Sequence, residues 1–388
     1  MHIFDYIVIG SGLSGLSVAT KISQETKNIL LIESESALGG SNKPAQIKYQ
    51  NNHFTSDNGL RFYPGHPLAK KALNNLEDEL GLKLIKSEIE NNPETYDASG
   101  FKSFVGFGDH PPAFYKEISY FLNSKAIELT LPVYKIIDLL KEKYQGEILT
   151  KSFMTGFKFT ENKLTHVTVN GSKDYYAQNF IFAGTLRDLS VLLPDDFLSV
   201  RAKTKLKKDT TWTGICLDLL HEGTPIEKTN LFMLEGTTND SIGPCIGRYL
   251  PPHSDLNQQT EEKSKPVQIS QWMSFIDLET AEETENIGDV LKKMKRQIKR
   301  AFPEMVEAIK AEHLFVTPAL SAGELKLNSN GSVAKVDNLW IASGQVNAFP
   351  NLLGSLLQAQ LVLSALGFGS TISELDQTTF DNSTEATI

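Results

Sequence analysis

The chain has 388 residues, a formal net charge of −9 and a pI near 5.5, so it lacks the basic face with which nucleic-acid-binding proteins displace counterions, and nucleic acid is excluded as a general partner. Hydrophobic content of 40% and charged content of 22% are ordinary for a soluble globular protein, and the length suffices for a large core divided between two or more units. Cys216 and Cys245 sit in apolar sequence and read as reduced core residues, and no Cys/His spacing suggests a metal site. No charged leader with a long apolar run opens the chain, and no window of about eighteen apolar residues occurs, which predicts a cytoplasmic protein without a transmembrane segment.

In chain order, Tyr6 to Ile9 form a short apolar run that leads into Gly10-Ser11-Gly12-Leu13-Ser14-Gly15 and then a helical segment carrying Leu16, Val18, Ala19 and Ile22. A second apolar run, Ile29 to Ile32, ends on Glu33, eighteen residues beyond the third glycine. This is the spacing of a dinucleotide-binding βαβ unit. Gly10 allows a sharp turn, Gly12 a close backbone approach to a pyrophosphate, and Gly15 tight packing of helix on strand. The helix N-terminus offers free N–H groups to the phosphates. Glu33 is placed to accept hydrogen bonds from an adenosine ribose and disfavours a 2′-phosphate there.

Residues 41 to 59 read as polar and irregular up to Asp57-Asn58-Gly59. Leu68 to Leu82 is an amphipathic helix with a glycine stop at Gly81. Turn formers and alternating Phe101, Phe104 and Phe107 between residues 83 and 112 predict antiparallel strands, followed by helices over Ala113 to Leu122 and Val133 to Tyr144. His66 and His110 read as exposed loop histidines. Short strands are expected at Glu147 to Phe153, Gly156 to Thr160, Leu164 to Val169 and Tyr175 to Ala183, then a helix from Asp188 to Leu193.

Further strands are expected at Thr210 to Leu220, Leu231 to Met233 and Val267 to Ile276, with a polar loop over Pro251 to Lys265. Ile287 to Phe302 is a helix whose basic residues, Lys292 to Arg300, read as a solvated face. The closing motif is a strand, Asp337 to Ala342, ending at Ser343-Gly344-Gln345, and a helix beginning at Asn351-Leu352-Leu353 and running to Leu366. Residues 370 to 388 are polar and predict a flexible tail.

After Glu33 the chain reads Ser34-Glu35-Ser36-Ala37-Leu38-Gly39-Gly40, with paired glycines six residues past the acidic residue. Together with the closing motif, and with Leu76-Glu77-Asp78-Glu79-Leu80-Gly81-Leu82 in the first long helix after it, this resembles the two-dinucleotide-binding-domain FAD flavoproteins. That superfamily includes flavin amine oxidases, protoporphyrinogen oxidase, phytoene desaturases and UDP-galactopyranose mutase.

The resemblance implies FAD as cofactor, with the glycine turn, Glu33 and Ser34 along its adenosine half and Gly39, Gly40 and Ser41 closing over the pyrophosphate. Ser41 stands where amine oxidases usually carry arginine, so phosphate neutralisation is expected from backbone amides, Lys43 or Arg61. Asn58, Gly59 and Leu60 are implied beside the ribityl chain and flavin ring; Asn58-Gly59 taken alone reads equally as a hairpin turn. A residue near Phe153 or Met154 is implied at the adenine edge. Gly344 and Gln345, the latter in place of a usual acidic residue, are implied at the ribityl chain. Asn351, Leu352 and Leu353 would aim a helix N-terminus at the flavin N1/C2 carbonyl region, where reduction gathers negative charge.

The implied fold is α/β: a Rossmann-like FAD-binding domain of parallel sheet plus β-meander, with an inserted α+β substrate domain. Expected boundaries give FAD-binding parts at 1–60, 146–194 and 319–369, substrate-domain parts at 61–145 and 195–318, and the tail at 370–388. The implied activity removes a hydride from a mostly apolar small molecule at a C–N, C–O or C–C bond and returns electrons to oxygen or another acceptor, with a biosynthetic pathway as one setting. No second NAD(P)H-binding glycine motif is present, and no catalytic acid or base is assigned. Trp272, Phe275 and Phe349 read as pocket walls or as plain core. Two alternatives stand beside this reading: a non-redox mutase or isomerase, and a binding protein that keeps the fold.

Overall fold

A computed structural model describes residues 2–194, 197, 200, 212–228, 230–235, 244–252, 266–317, 327–347, 349 and 351–369. Most of the polar loop expected at 251–265 and the tail from 370 lie outside the described residues.

The chain opens with β1 (Ile3–Ile9), α1 (Leu13–Ser23) and β2 (Ile29–Ile32). All of β2 is buried, as a strand covered on both faces by an α/β layer must be. The stretch read as irregular is instead a hairpin, β3 (Pro44–Tyr49) and β4 (Asn52–Asp57). Its turn lies at Gln50 and Asn51, with Gln50 at φ 53°, so Asn58-Gly59 is not a hairpin turn but the exit from β4.

Helix α2 (Pro67–Leu80) starts on His66, whose Nδ1 accepts the Leu68 N–H at 3.2 Å, and stops at left-handed Gly81. His66 is thus a half-buried helix cap and not an exposed loop residue. Strands β5 (Ile85–Glu90), β6 (Glu94–Asp97) and β7 (Gly100–Ser103) follow. The helix expected over residues 113 to 122 is only α3 (Tyr115–Ile118) and a 3₁₀ turn, Ser119–Leu122. Then come β8 (Lys125–Leu129), α4 (Val133–Lys143) and β9 (Glu147–Leu149).

The meander is β10 (Met154–Thr160), β11 (Lys163–Val169) and β12 (Lys173–Phe182), before α5 (Leu186–Leu192). Strand β12 joins the antiparallel and parallel parts of one sheet. Its first half pairs antiparallel with β11, and its second half runs parallel to β1, with Ile7 opposite Phe180. Among the described residues the first sheet has the order β10-β11-β12-β1-β2-β9, and β18 (Leu339–Ile341) also pairs with β12.

A second sheet is built from β13 (Trp212–Glu222), β14 (Phe232–Leu234), β15 (Cys245–Tyr249), β16 (Val267–Asp277) and β17 (Ile309–Val316), joined by β6 and β7. Between β16 and β17 lie α6 (Leu278–Ala281), α7 (Thr284–Ala301) and α8 (Pro303–Glu307). Helix α7 buries Val290, Met294 and Ile298 against one face of the sheet, leaving Lys292, Arg296, Lys299 and Arg300 exposed. The other face of the sheet meets Leu60, Phe62, Ile47 and Phe54. Finally α9 (Asn351–Ala365) packs on α1 under the first sheet, in one core with α2 and α4.

Candidate functional site

The site begins at the crossover from β1 to α1. Gly10 has φ +96°, and a side chain on Gly15 would place Cβ 2.0 Å from the Gly10 carbonyl oxygen and 3.0 Å from Ala183 Cβ. Only glycines let α1 start this close to the ends of β1 and β12. Gly12, the N-cap, differs: a Cβ there meets nothing within 4 Å, and no side chain caps the helix. The first turn of α1 therefore presents its N–H groups to open space.

That space is a cleft of about 770 Å³ lined by Gly10 to Ser14, Glu33 to Glu35, Gly40 to Lys43, Ala183 to Thr185, and Ser343 to Gln345 with Leu352 and Ser355. The paired-glycine turn folds over it, with Gly40 against Gly12. On the opposite side the cleft is walled by Asn58, Leu60, Arg61, Phe62, Tyr120, Phe315, Val316 and Thr317. It thus spans both the nucleotide-type turn and the second sheet. Its volume is within the roughly 300–1,000 Å³ common for ligand pockets.

Glu33 is buried, and its carboxylate accepts from the Ser11 N–H at 2.9 Å, the Ser11 hydroxyl, the Glu35 N–H at 2.8 Å and the Ser34 hydroxyl at 3.1 Å. Burial works against ionisation, but these bonds outweigh it and hold the carboxyl below its usual range. Ser11 also accepts the Gly39 N–H, at 3.0 Å on its carbonyl. It ties the glycine turn, the acidic residue and the paired glycines together. Sequence reasoning passed over it, because a serine between two glycines gives no signal of its own.

Arg61 donates from Nη2 to the Ser41 carbonyl at 2.6 Å, which holds a guanidinium beside the serine that replaces the usual arginine. Lys43 also lines the cleft, 3.9 Å from the Glu35 carboxylate. Gln345 accepts the Leu186 N–H at 2.7 Å, joining the end of β18 to the start of α5. Tyr120 is buried, and desolvation pushes its phenol well above the ordinary range, so it stays neutral.

The structure brings Gly10, Gly12, Leu13, Ser14, Glu33, Ser34, Gly40, Ser41, Asn58, Leu60, Gly344, Gln345 and Leu352 to one cleft. Gly15, Gly39, Gly59 and Leu353 lie behind its lining as packing or turn residues. Asn351 begins α9. Phe153 and Met154 are not in the lining, and the Phe153 backbone is bonded to Asn170, which takes its N–H on Oδ1 and donates its own N–H to the Phe153 carbonyl, both at 2.8 Å. Trp272 and Phe349 are buried in separate cores, and Phe275 packs on Phe114, away from the main cleft. Cys216 and Cys245 are buried free thiols; burial pushes Cys216 up to about 12. Among the described residues no cluster of His, Cys, Asp and Glu suits a metal, and no helix is long and apolar enough to cross a membrane.

Residues 8–76 match the family described as NAD(P)-binding Rossmann-like domain. The flavin-containing amine oxidase A of Equus caballus is 33% identical over 111 residues, a stretch that is 29% of this chain and only 20% of that protein. Among solved structures, an oxidoreductase from Methanosarcina mazei has a TM-score of 0.65 at 14% identity, covering 92% of this chain and 99% of its own. Cyclohexylamine oxidase from Brevibacterium oxydans has a TM-score of 0.58 at 9% identity, covering 94% and 98% respectively. The chain shares its fold with these solved structures, and its first segment is a Rossmann-like domain.

Proposed function

We propose that the chain is an FAD-dependent oxidoreductase that oxidises a small, mostly apolar molecule held between the first sheet and the second. One observation carries this reading: a single cleft joins the α1 N-terminus, the paired-glycine turn, the end of β18 and the start of α9 to an apolar wall on the second sheet. FAD fits that donor set. Uncapped N–H groups at Gly12 to Ser14 and the Arg61 guanidinium suit a pyrophosphate, and Leu352 with the α9 N-terminus suits the electron-accepting end of the ring. Bound there, FAD supplies hydride acceptance, chemistry that needs no protein nucleophile.

The chain's own residues bind, orient and exclude water. Leu60, Phe62, Tyr120 and Phe315 give the second wall an apolar, largely neutral surface, where among the described lining residues Arg61 and Tyr120 are the ionisable groups. An apolar substrate matches such a wall, and a diphosphate substrate of the mutase type would call for more than one arginine there. Oxygen or another small acceptor closes the cycle.

Anaerobic mixing of the FAD-loaded protein with amines, alcohols and polyenes tests this directly. Bleaching of the visible flavin band by one of these classes is the expected result. A loaded protein that no electron donor bleaches would overturn the redox reading.

A further inference from the structure

The face of the second sheet turned toward the cleft carries one row of polar side chains at matched register across four strands. His313 on β17 lies opposite Asp218 on β13, Asp218 opposite Gln271 on β16, and Gln271 opposite Arg248 on β15. The row separates two apolar clusters, Cys216, Ile246, Met273 and Phe315 on one side and Leu220 and Ile269 on the other. Polar groups in such a place are costly unless they serve a partner.

The partner is the exit from β4. His313 Nε2 lies 3.0 Å from Asn58 Oδ1, the Gly59 N–H reaches Asp218 Oδ2 at 3.4 Å, and Gln271 Nε2 donates to the Asp57 carbonyl at 2.8 Å. Three consecutive residues are thus gripped by three consecutive strands. Gly59, at φ +76°, lies flat on β13: a Cβ there would stand 2.8 Å from Cys216 Sγ. The neighbours Asn58, Leu60 and Arg61 form part of the cleft wall. The row is not fully satisfied, since Asp218 Oδ1, Gln271 Oε1 and Arg248 Nε are buried without a hydrogen-bond partner.

We infer that Asp218 is a positioning residue for the cleft: with Gln271 and His313 it clamps the Asp57–Leu60 turn to the second sheet, and the presence or absence of its proton is felt in the cleft through that turn. The groups that face it are His313 and Gln271 from the neighbouring strands, Asp57 from the turn and Arg61 just after it, and Cys216 on its own strand, with Arg248 one strand further along the row. Burial pushes its carboxyl up to about 7, against the pull of the Gly59 N–H, Gln271 and Arg61 and with the push of Asp57. Its spectroscopic readout rests on the FAD reading above; its second readout does not.

The test compares wild type, Asp218→Asn and Asp218→Leu from about pH 4 to about pH 8. In the FAD-loaded wild type the visible flavin band should shift with one midpoint at about 7. Asp218→Asn, which keeps an acceptor for Gly59, should retain FAD and lose the shift. Asp218→Leu should weaken FAD binding by about tenfold, because a buried N–H is left unpaired. A shift that survives in Asp218→Asn, or equal FAD affinity in all three, overturns the inference. In the FAD-free chain, the stability advantage of wild type over Asp218→Asn should shrink as pH rises toward 7, and a constant difference overturns it there. Failure of the wild type to take up FAD would instead count against the functional reading and leave this second arm decisive, whereas loss of FAD in Asp218→Asn alone overturns the inference.

Discussion

Gly12 and Gly15 lie three residues apart and make opposite predictions. Gly15→Ala drives a methyl into the Gly10 carbonyl, so it should cost at least about 3 kcal/mol in denaturant unfolding, since overpacked rigid sites relax poorly. Gly12→Ala meets no protein atom and should leave unfolding within about 0.5 kcal/mol while lowering FAD affinity. Equal effects of the two on stability would contradict the assignment of Gly12 to the ligand. A second residue-scale prediction concerns His221, which is buried with Nδ1 2.8 Å from the Met305 carbonyl and Nε2 2.7 Å from Ser270 Oγ. Burial lowers it to about 4, so the unfolded chain binds its proton first as pH falls below about 6.5. Stability from this group is present at pH 7 and lost toward pH 4, by up to about 3 kcal/mol. The raised Asp218 works in the opposite sense between about pH 4 and about pH 7. Urea midpoints should therefore fall with acidification in Asp218→Asn and rise in His221→Gln.

Among the elements, α7 tests whether the second sheet's back is structural only. Met294 is fully buried between this helix and the sheet, so Met294→Ala should cost about 2–5 kcal/mol yet leave FAD affinity unchanged. Altered affinity would show that the sheet's two faces are coupled. The elements also explain what could be read beforehand. β1, α1, β2 and α9 were legible because turn chemistry and apolar runs agree in each. β17 was not: it buries Ala311, His313 and Phe315 partially and exposes Leu314 and Val316, which scrambles the alternation a strand needs to announce itself. β3 does alternate, with Ala45 and Ile47 buried and Gln46 and Lys48 exposed, but the run is short, and β4 buries Ser56 where an apolar residue would have marked its inner face. The clamp on Asn58-Gly59 depends on register between distant strands, and a dipeptide that favours hairpin turns concealed it.

At the scale of the molecule, the first sheet supplies a glycine turn and a helix start from opposite ends of the chain, and the second sheet supplies the facing wall. The side of the cleft around the glycine turn was readable from motif spacing; the facing wall, with Phe62, Tyr120 and Phe315, was not, because those residues meet only after the second sheet assembles. Calorimetric titration of the FAD-free chain with FAD, and separately with NAD, tests the whole account most directly. It predicts one FAD per chain, binding that weakens in Gly12→Ala, and no comparable uptake of NAD; an FAD-free chain that takes NAD in preference, or neither, would contradict it.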